Sequence, residues 1–293
     1  MTSKKLYSTY FKEYIISEES IEELHNALLG MFIDIKDYCD KYNIDYMVGG
    51  GTLLGAIRHK GFIPWDDDID IMMTRENYEK FVLGFNECLG EKYLLAEPLD
   101  ELYFFKMPKV YKKNTTYVEI ADVGLNSYNM LFIDLFILEN VPAPGIKRNI
   151  RSKIYDLAYK GASACKDYLY PSPIIDAKAN EIQEVAHFYN MRKKIGKLFS
   201  TLGGIEFYLK LCEKLAKYKK ITGWIGCPAG ISYEKEIFPK EVYQEIDEAE
   251  FCGMKVKIPR YYDVYLKNLY GNDYMKIPPL EKREYHVAYK VKI

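Results

Sequence analysis

The sequence lacks the features of a secreted, disulfide-stabilised or membrane-spanning protein. Its six cysteines are scattered, with no CxxC pair and no short repeating interval, which argues against a structural zinc site or a disulfide scaffold and favours a reducing cytoplasm. The longest apolar run, 130–138, is interrupted by Asp134, whereas a membrane-spanning helix needs about 20 apolar residues. The N-terminus has no apolar signal-peptide core. We therefore expect a soluble, cytoplasmic protein, at most peripheral at the inner face of the membrane.

The sequence also lacks a large net charge of either sign. Its 41 Lys and Arg residues oppose 42 Asp and Glu residues, which leaves a net charge of −1. No overall field would draw such a chain onto nucleic acid, so we expect no nucleic-acid partner. Basic residues do cluster locally, at 106–113, 192–197 and 214–220. Each cluster is typical of a solvated face, and each could also guide an anionic ligand or an anionic membrane surface.

The first half of the chain alternates helix and strand signals. A capping box at Ser20 predicts a helix to about Lys41, and Thr74 is the predicted N-cap of a helix to about Leu89. A short helix is expected at 53–57, directly after three glycines. Alternating or short apolar runs predict strands at 46–48, 69–73, 93–96, 104–111, 115–120 and 130–138.

The second half of the chain is predominantly helical. Pro142-Ala-Pro144-Gly145 is the clearest internal boundary. Beyond it, helices are predicted at 147–168, 175–198, 204–219 and 261–270, and a hairpin around Cys252-Gly253. We therefore predict an α+β fold, in which a mixed sheet with flanking helices is followed by a mainly helical region and a small mixed C-terminal block. The expected domains are a catalytic core at 18–141 and a region at 142–293 that completes the active-site cleft.

Four carboxylates lie within five residues, at Asp66, Asp67, Asp68 and Asp70. On a strand, Asp68 and Asp70 point to one face while Ile69 and its apolar neighbours point to the other. Two adjacent carboxylates suit a hard cation such as Mg²⁺. An acidic surface turn is the alternative interpretation. A calcium loop of the EF-hand type does not fit, because its sixth position would be isoleucine rather than glycine.

A glycine-rich turn, Gly49-Gly50-Gly51-Thr52, follows a predicted strand and opens a helix. Glycines allow close approach of the backbone, and the N–H groups of a helix start favour an anion such as phosphate. A tight turn without a ligand would have the same sequence. A dinucleotide-binding motif does not fit, since Leu54 occupies the place of the third glycine. Arg58 follows at the end of this helix and could bind phosphate oxygens as a fixed fork.

Asp134 lies in the middle of an apolar run. An unpaired carboxylate inside a core would be costly. Asp134 must therefore point to the opposite face from its apolar neighbours or meet a cation. His286, in contrast, is interpreted as a structural residue.

Together these elements resemble the nucleotidyltransferase superfamily and, within it, the LicD family. The resemblance rests on the string from Gly50 to Arg58, on Gly61-Phe-Ile-Pro-Trp-Asp-Asp-Asp-Ile-Asp70, on Phe132-Ile-Asp134 and on the C-terminal block around Tyr270-Gly-Asn-Asp-Tyr-Met275. It implies a nucleotidyltransferase-type sheet in which Asp68, Asp70 and Asp134 hold Mg²⁺, with Mn²⁺ as an alternative. Gly50, Gly51 and Thr52 would seat phosphates, with Arg58 and Lys109 as further phosphate contacts.

The resemblance also implies a reaction. The enzyme would transfer phosphocholine, or a similar phospho-alcohol, from CDP-choline or another CDP-alcohol to a hydroxyl of a glycan or lipid-linked glycan, releasing CMP. Asp134 would accept the proton of the acceptor hydroxyl. Tyr111 stands where a basic residue is expected, and 147–220 contains no matching motif. Two alternatives remain open: a template-free nucleotidyltransferase that transfers NMP, and a catalytically silent glycan-binding relative.

Overall fold

The computed structural model of the chain describes residues 3–125, 127–283 and 285–293. Helices α1 to α10 run over Ser3–Tyr10, Glu18–Lys41, Gly50–His59, Arg75–Cys88, Ile146–Leu169, Pro173–Glu181, Gln183–Leu202, Gly204–Ala216, Glu241–Gln244 and Tyr262–Tyr270. Strands β1 to β11 run over Met47–Val48, Asp70–Thr74, Tyr93–Ala96, Lys109–Lys112, Thr116–Glu119, Phe132–Asn140, Trp224–Gly226, Ile237–Pro239, Ile246–Phe251, Met254–Pro259 and Ala288–Lys292. Short 3₁₀ turns lie at Lys12–Tyr14, Ile120–Asp122 and Leu280–Lys282.

A mixed sheet forms the centre of the described part of the chain. Its main strand order is β1-β2-β6-β4-β3, and β7 and β8 extend it from the far end of β6. Strands β2 and β6 are parallel, while the other neighbours are antiparallel. Two smaller pairs, β9 with β10 and β5 with β11, lie outside this sheet. The predicted α+β fold with a mixed sheet and flanking helices is confirmed.

Alternation along the two central strands separates a core face from a polar face. Ile71, Ile133 and Leu135 are buried in the same hydrophobic cluster as residues of α2 and α4, including Leu28 and Phe81. Strands β2 and β6 pair in parallel with Asp70 opposite Asp134. Both aspartates therefore project from one face of the sheet, the face opposite the hydrophobic cluster. The sheet therefore places both carboxylates side by side at the start of its two central strands.

The structure corrects three element boundaries. Helix α2 begins at Glu18 with Ser17 as its N-cap, because the Ser17 side chain accepts a hydrogen bond from the backbone N–H of Ser20. The predicted strand 104–111 is confined to β4, because Pro108 has no N–H with which to continue the ladder. The predicted helix 175–198 is two helices, α6 and α7, since Ile182 between them has an extended backbone.

The second half of the chain contributes both to the central sheet and to a core of its own. Strand β7 pairs with the end of β6, so the sheet crosses the predicted domain boundary at 141–142. Helices α5 and α8 share a second hydrophobic cluster that includes Tyr155, Leu209 and Cys212. The predicted hairpin at Cys252-Gly253 is confirmed, with a positive φ at both residues. Within the described residues, no helix is both long enough and apolar enough to cross a membrane.

Candidate active site

The glycine turn forms a close contact with two carboxylates. Gly50 starts α3 with a φ of +47°, a conformation that side chains disfavour. A Cβ atom at Gly50 would collide with the Asp70 carboxylate, and one at Gly51 would collide with the Asp66 carboxylate. The backbone N–H of Gly51 donates to Oδ2 of Asp70 at 3.3 Å. The glycines therefore allow two acidic side chains to lie directly against the start of a helix.

Thr52 connects the glycine turn to the start of β2. It is buried, and its Oγ1 accepts a hydrogen bond from the backbone N–H of Asp70 at 2.8 Å. Its position fixes where the strand begins relative to the helix. Its contact with phosphate stays a prediction.

Asp70 and Asp134, which we call the strand pair, are register partners in β2 and β6. Burial raises the pKa of Asp70 well above its usual range, and the nearby carboxylates of Asp68, Asp134 and Asp66 raise it further. Two charges so placed in a buried site favour either protonation or a bound cation. The strand pair thus has the electrostatic character expected of a cation site.

Asp134, which was predicted either to face away from its apolar neighbours or to meet a cation, lies next to the ammonium of Lys109. Lys109 is the register partner of Asp134 across β4 and β6, and its Nζ lies 2.8 Å from Asp134 Oδ1 with both side chains almost fully buried. The ammonium also lies 3.4 Å from the ring centroid of Phe132 and 4.3 Å from that of Phe105. Burial raises the pKa of Asp134, and Lys109 partly offsets this.

A second acidic group, which we call the turn cluster, precedes β2. It consists of Asp66, Asp67, Asp68 and His286, and one ligand atom from each lies within 4.8 Å of the others. The Nδ1 atom of His286 is in close contact with the carboxylate of Asp67 and lies 3.8 Å from Oδ2 of Asp68. The hydroxyl of Tyr117 in β5 donates to Asp67. Carboxylate oxygens and one imidazole nitrogen form a donor set that fits Mg²⁺ or Mn²⁺.

Only Asp68 of the three predicted metal ligands belongs to the turn cluster. Among the described residues, Asp70 and Asp134 lie outside that group, so their roles as ligands stay predictions. His286 was interpreted as structural, and the structure instead places it among the acids. It lies two residues before β11, which pairs with β5. No signal in the local sequence of His286 indicates this placement, because the β5–β11 pairing joins segments about 170 residues apart.

Residues of the C-terminal half also reach the glycine turn. The hydroxyl of Tyr265 in α10 accepts from the backbone N–H of Gly50 at 3.1 Å and donates to Glu236 at 3.0 Å. Glu236 is buried and also accepts from the backbone N–H of Ile231. Tyr265 and Glu236 were absent from the predicted site. Tyr265, supported by Glu236, holds the glycine turn in place. Both residues lie in the C-terminal half, outside the glycine-rich sequence motif.

Arg58 anchors the C-terminal block. Its guanidinium donates to the backbone carbonyls of Tyr274 at 2.8 Å and Lys276 at 3.3 Å. Burial lowers its pKa. These bonds join the end of α3 to the segment after α10. The contact of Arg58 with phosphate stays a prediction.

Comparison with known proteins identifies the family. The model of the LicD/FKTN/FKRP nucleotidyltransferase domain matches residues 43–175. The lipopolysaccharide cholinephosphotransferase LicD of Haemophilus influenzae is 32% identical over 268 residues, which cover 87% of this chain and 92% of that protein. The chain belongs to the LicD family. Two uncharacterised proteins, from Rickettsia typhi and Rickettsia prowazekii, are 42% and 41% identical to this chain over 66 residues, which cover 22% of this chain and 20% and 23% of theirs.

The LicD domain match divides the site into two parts. Residues 43–175 contain the glycine turn, Asp66 to Asp70, Lys109 and Asp134. His286, Tyr265 and Glu236 lie outside this range. The resemblance predicted from the sequence is confirmed. Of the site residues that the prediction omitted, Tyr117 lies within the matched domain and His286, Tyr265 and Glu236 lie beyond it.

Proposed function

We propose that this protein transfers phosphocholine, or a similar phospho-alcohol, from a CDP-activated donor to a hydroxyl of a cell-surface glycan and releases CMP. The observation that carries the proposal is the position of Asp70 and Asp134, side by side on neighbouring strands and against the glycine turn. The relative from Haemophilus influenzae supports phosphocholine as the cargo, because it is a lipopolysaccharide cholinephosphotransferase.

A divalent ion, Mg²⁺ or Mn²⁺, would neutralise the donor diphosphate and stabilise the departing CMP oxygen. Asp68, Asp70 and Asp134 are the proposed ligands. The turn cluster suggests that Asp66, Asp67 and His286 complete or support the site from the side of the loop. Gly50, Gly51 and Thr52 would face the phosphates, and Arg58 and Lys109 would contribute positive charge.

In the proposed reaction the acceptor hydroxyl oxygen bonds to the phosphorus that carries the choline. The bond from that phosphorus to the bridging oxygen breaks, and CMP leaves with the electron pair. Asp134 receives the hydroxyl proton. Lys109 holds Asp134 in place at 2.8 Å and favours the carboxylate form that can act as a base. No covalent intermediate with the enzyme is required.

A panel of donors tests the proposal. The full-length protein is incubated with Mg²⁺, a glycan acceptor and CDP-choline, CDP-glycerol or CDP-ribitol, and free CMP and pyrophosphate are both measured. We expect CMP without pyrophosphate, and the highest kcat/KM for CDP-choline. Pyrophosphate release from nucleoside triphosphates would favour the NMP-transferring alternative. Absence of turnover with every donor, together with glycan binding, would favour the silent relative.

We further propose that the protein works at the cytoplasmic face of a membrane without crossing it. Helix α7 supports this, since it exposes an apolar stripe at helical spacing: Met191, Ile195, Leu198 and Leu202. The exposed Lys194 and Lys197 lie on the same helix, and residues 185–205 contain no acidic side chain. Such a helix suits an anionic lipid surface.

Vesicle sedimentation tests the membrane contact. The protein should pellet with anionic vesicles and remain in solution with zwitterionic ones. Ile195→Ser should weaken this binding, while Leu83→Ser, at an equally apolar but highly exposed position on α4, should not. Equal pelleting of both variants, or none by the unaltered protein, would refute the contact through α7.

A further inference from the structure

A cavity of about 90 Å³ lies on the polar face of the sheet, and two rings in its wall, Phe105 and Phe132, also flank the ammonium of Lys109. A water molecule needs about 10–15 Å³ of such space, so the cavity has room for a group of several heavy atoms. Seven of the fifteen residues that line it are aromatic: Phe104, Phe105, Tyr111, Tyr117, Tyr128, Phe132 and Tyr159. Such a concentration of rings around one small space is suited to a ligand that is recognised by ring faces.

The rings present faces in several directions. Tyr117 and Phe132 stand at 90° with their centroids 5.6 Å apart. Tyr111 meets Phe132 at 62° and 5.8 Å, and it lies 5.4 Å from Tyr128. Rings at steep angles to one another form walls and a floor rather than a flat stack. A compact cation inside such walls would touch more than one electron-rich face.

The charges around the cavity leave one carboxylate without a direct counter-ion. Lys166 forms an ion pair with Asp122, and Lys109 forms one with Asp134. Glu119 also lines the cavity, and no lysine or arginine of the described residues forms an ion pair with it. Burial raises the pKa of Glu119 and Asp122 raises it further, while the more distant charges of Lys109, His286 and Lys166 offset part of this rise. The cavity therefore combines ring faces with a carboxyl group whose charged form a bound cation would stabilise.

The cavity shares its walls with both acidic groups of the site. Phe105 and Phe132 flank the ammonium of Lys109, which binds Asp134 of the strand pair. Tyr117 lines the cavity and donates to Asp67 of the turn cluster. In phosphocholine only two carbons separate the phosphate oxygen from the nitrogen. A headgroup bound here would keep its phosphate next to the acids.

We propose that this aromatic cavity, with Glu119, is the site that binds the quaternary ammonium of the donor. This assignment rests on the proposed transfer of phosphocholine and names the residues that select the cargo. A quaternary ammonium has no hydrogen-bond donor, so ring faces and a carboxylate recognise it. A polyol lacks the positive charge, so it would form neither an ion pair with Glu119 nor a cation–π contact with the rings.

Binding measurements on the full chain with Mg²⁺ test the assignment without requiring turnover. Calorimetric titration of the unaltered protein should give tighter binding of CDP-choline than of CDP-glycerol. Tetramethylammonium chloride should compete with CDP-choline and not with CDP-glycerol, compared with sodium chloride at equal ionic strength. This competition needs no variant, so it remains decisive even if a substitution impairs folding.

Two substitutions sharpen the test. Glu119→Gln and Tyr128→Asn should each weaken CDP-choline binding by about tenfold, which corresponds to about 1.4 kcal/mol. Asparagine is chosen because Tyr128 has a positive φ, which asparagine tolerates. Binding of CDP-glycerol should not change. Glu181→Gln and Tyr42→Asn make the same chemical changes at exposed helix ends and should leave both donors unaffected.

The outcomes separate the cavity from the reaction. Equal binding of the two donors, or unchanged CDP-choline binding by both cavity variants and no competition by tetramethylammonium, would overturn the assignment. If CMP is nevertheless released from CDP-choline, the proposed function stands and choline binds elsewhere. Selective binding that depends on Glu119 without any CMP release would uphold the cavity and refute the transfer.

Discussion

The strand pair and the turn cluster both supply carboxylates to the glycine turn, but they are built differently. Asp70 and Asp134 are fixed by the register of two parallel strands in the centre of the sheet. Asp66, Asp67 and Asp68 lie in the preceding turn and are joined by His286 from the far end of the chain. The strand pair thus depends on strand pairing within the matched LicD domain, whereas the turn cluster depends on a residue from outside that domain.

The two groups also differ in how their charge is balanced. Asp134 has a buried lysine at 2.8 Å, while Asp67 is held by an imidazole and a tyrosine hydroxyl. An ammonium group is a counter-ion and not a metal ligand, whereas a neutral imidazole nitrogen can bind a metal directly. We infer that the strand pair performs the chemistry and that the turn cluster tunes metal affinity.

The largest expected effect is at Asp134. Asp134→Asn should lower kcat about 10²- to 10⁴-fold, the usual contribution of a general base. It should also destabilise the fold by about 3–5 kcal/mol, because Lys109 is left buried without its partner. Enzyme assays and denaturant unfolding measure the two effects separately.

The double variant Asp134→Asn with Lys109→Met is the control for the loss of stability. It should recover most of the free energy of unfolding, because both members of the buried pair are gone, yet stay inactive. Recovery of activity along with stability would mean that Asp134 is structural.

A smaller effect is expected in the turn cluster. His286→Ala should weaken the apparent affinity for Mn²⁺ by roughly 10- to 100-fold, as for residues that orient or support metal ligands, and saturating metal should restore most of kcat. His187→Ala, in α7, is the matched control. An unchanged dependence of the rate on Mn²⁺ concentration would remove His286 from the metal site.

The smallest effect concerns stability without metal. In chelator, Asp70→Asn should raise Tm by roughly 2–4 °C at pH 7.5, about the shift that 1 kcal/mol produces. The folded-state pKa of Asp70 is raised by burial and by neighbouring carboxylates. Below the unfolded pKa, the Asp70 carboxyl is protonated in both states and its ionisation does not affect the free energy of unfolding. Between the unfolded and the raised folded pKa, the free energy of unfolding falls as the pH rises, because only the unfolded state loses the proton.

This gain should shrink as the pH falls towards about 4, the unfolded pKa of an aspartate. Calorimetric scans from pH 4 to 8 measure it. A variant less stable than the original protein at pH 7.5 in chelator would show that Asp70 is favourably paired without metal.

The sequence predicted the strand pair better than the turn cluster, for a physical reason. Period-two alternation around Asp70 and an acid inside the apolar run at Asp134 are local signals of a strand with one polar face. Their side-by-side placement then follows from pairing of the two strands. The sequence predicted that Asp134 faces away from its apolar neighbours or meets a cation, but it did not identify Lys109 as its partner.

The contacts of His286, Tyr265 and Glu236 could not be predicted from local patterns. Each depends on tertiary pairing between segments far apart in the chain, and periodicity contains no information about such pairs. The same holds for the aromatic cavity, because only the fold brings Tyr111, Tyr128 and Tyr159 together.

The most direct test of the account is the metal dependence of CMP release from CDP-choline by the original protein and by Asp70→Asn. In chelator, the original protein should release no CMP, and added Mg²⁺ or Mn²⁺ should restore turnover. Asp70→Asn should remain inactive at metal concentrations that saturate the original protein. Full CMP release by Asp70→Asn in the presence of chelator would contradict the account.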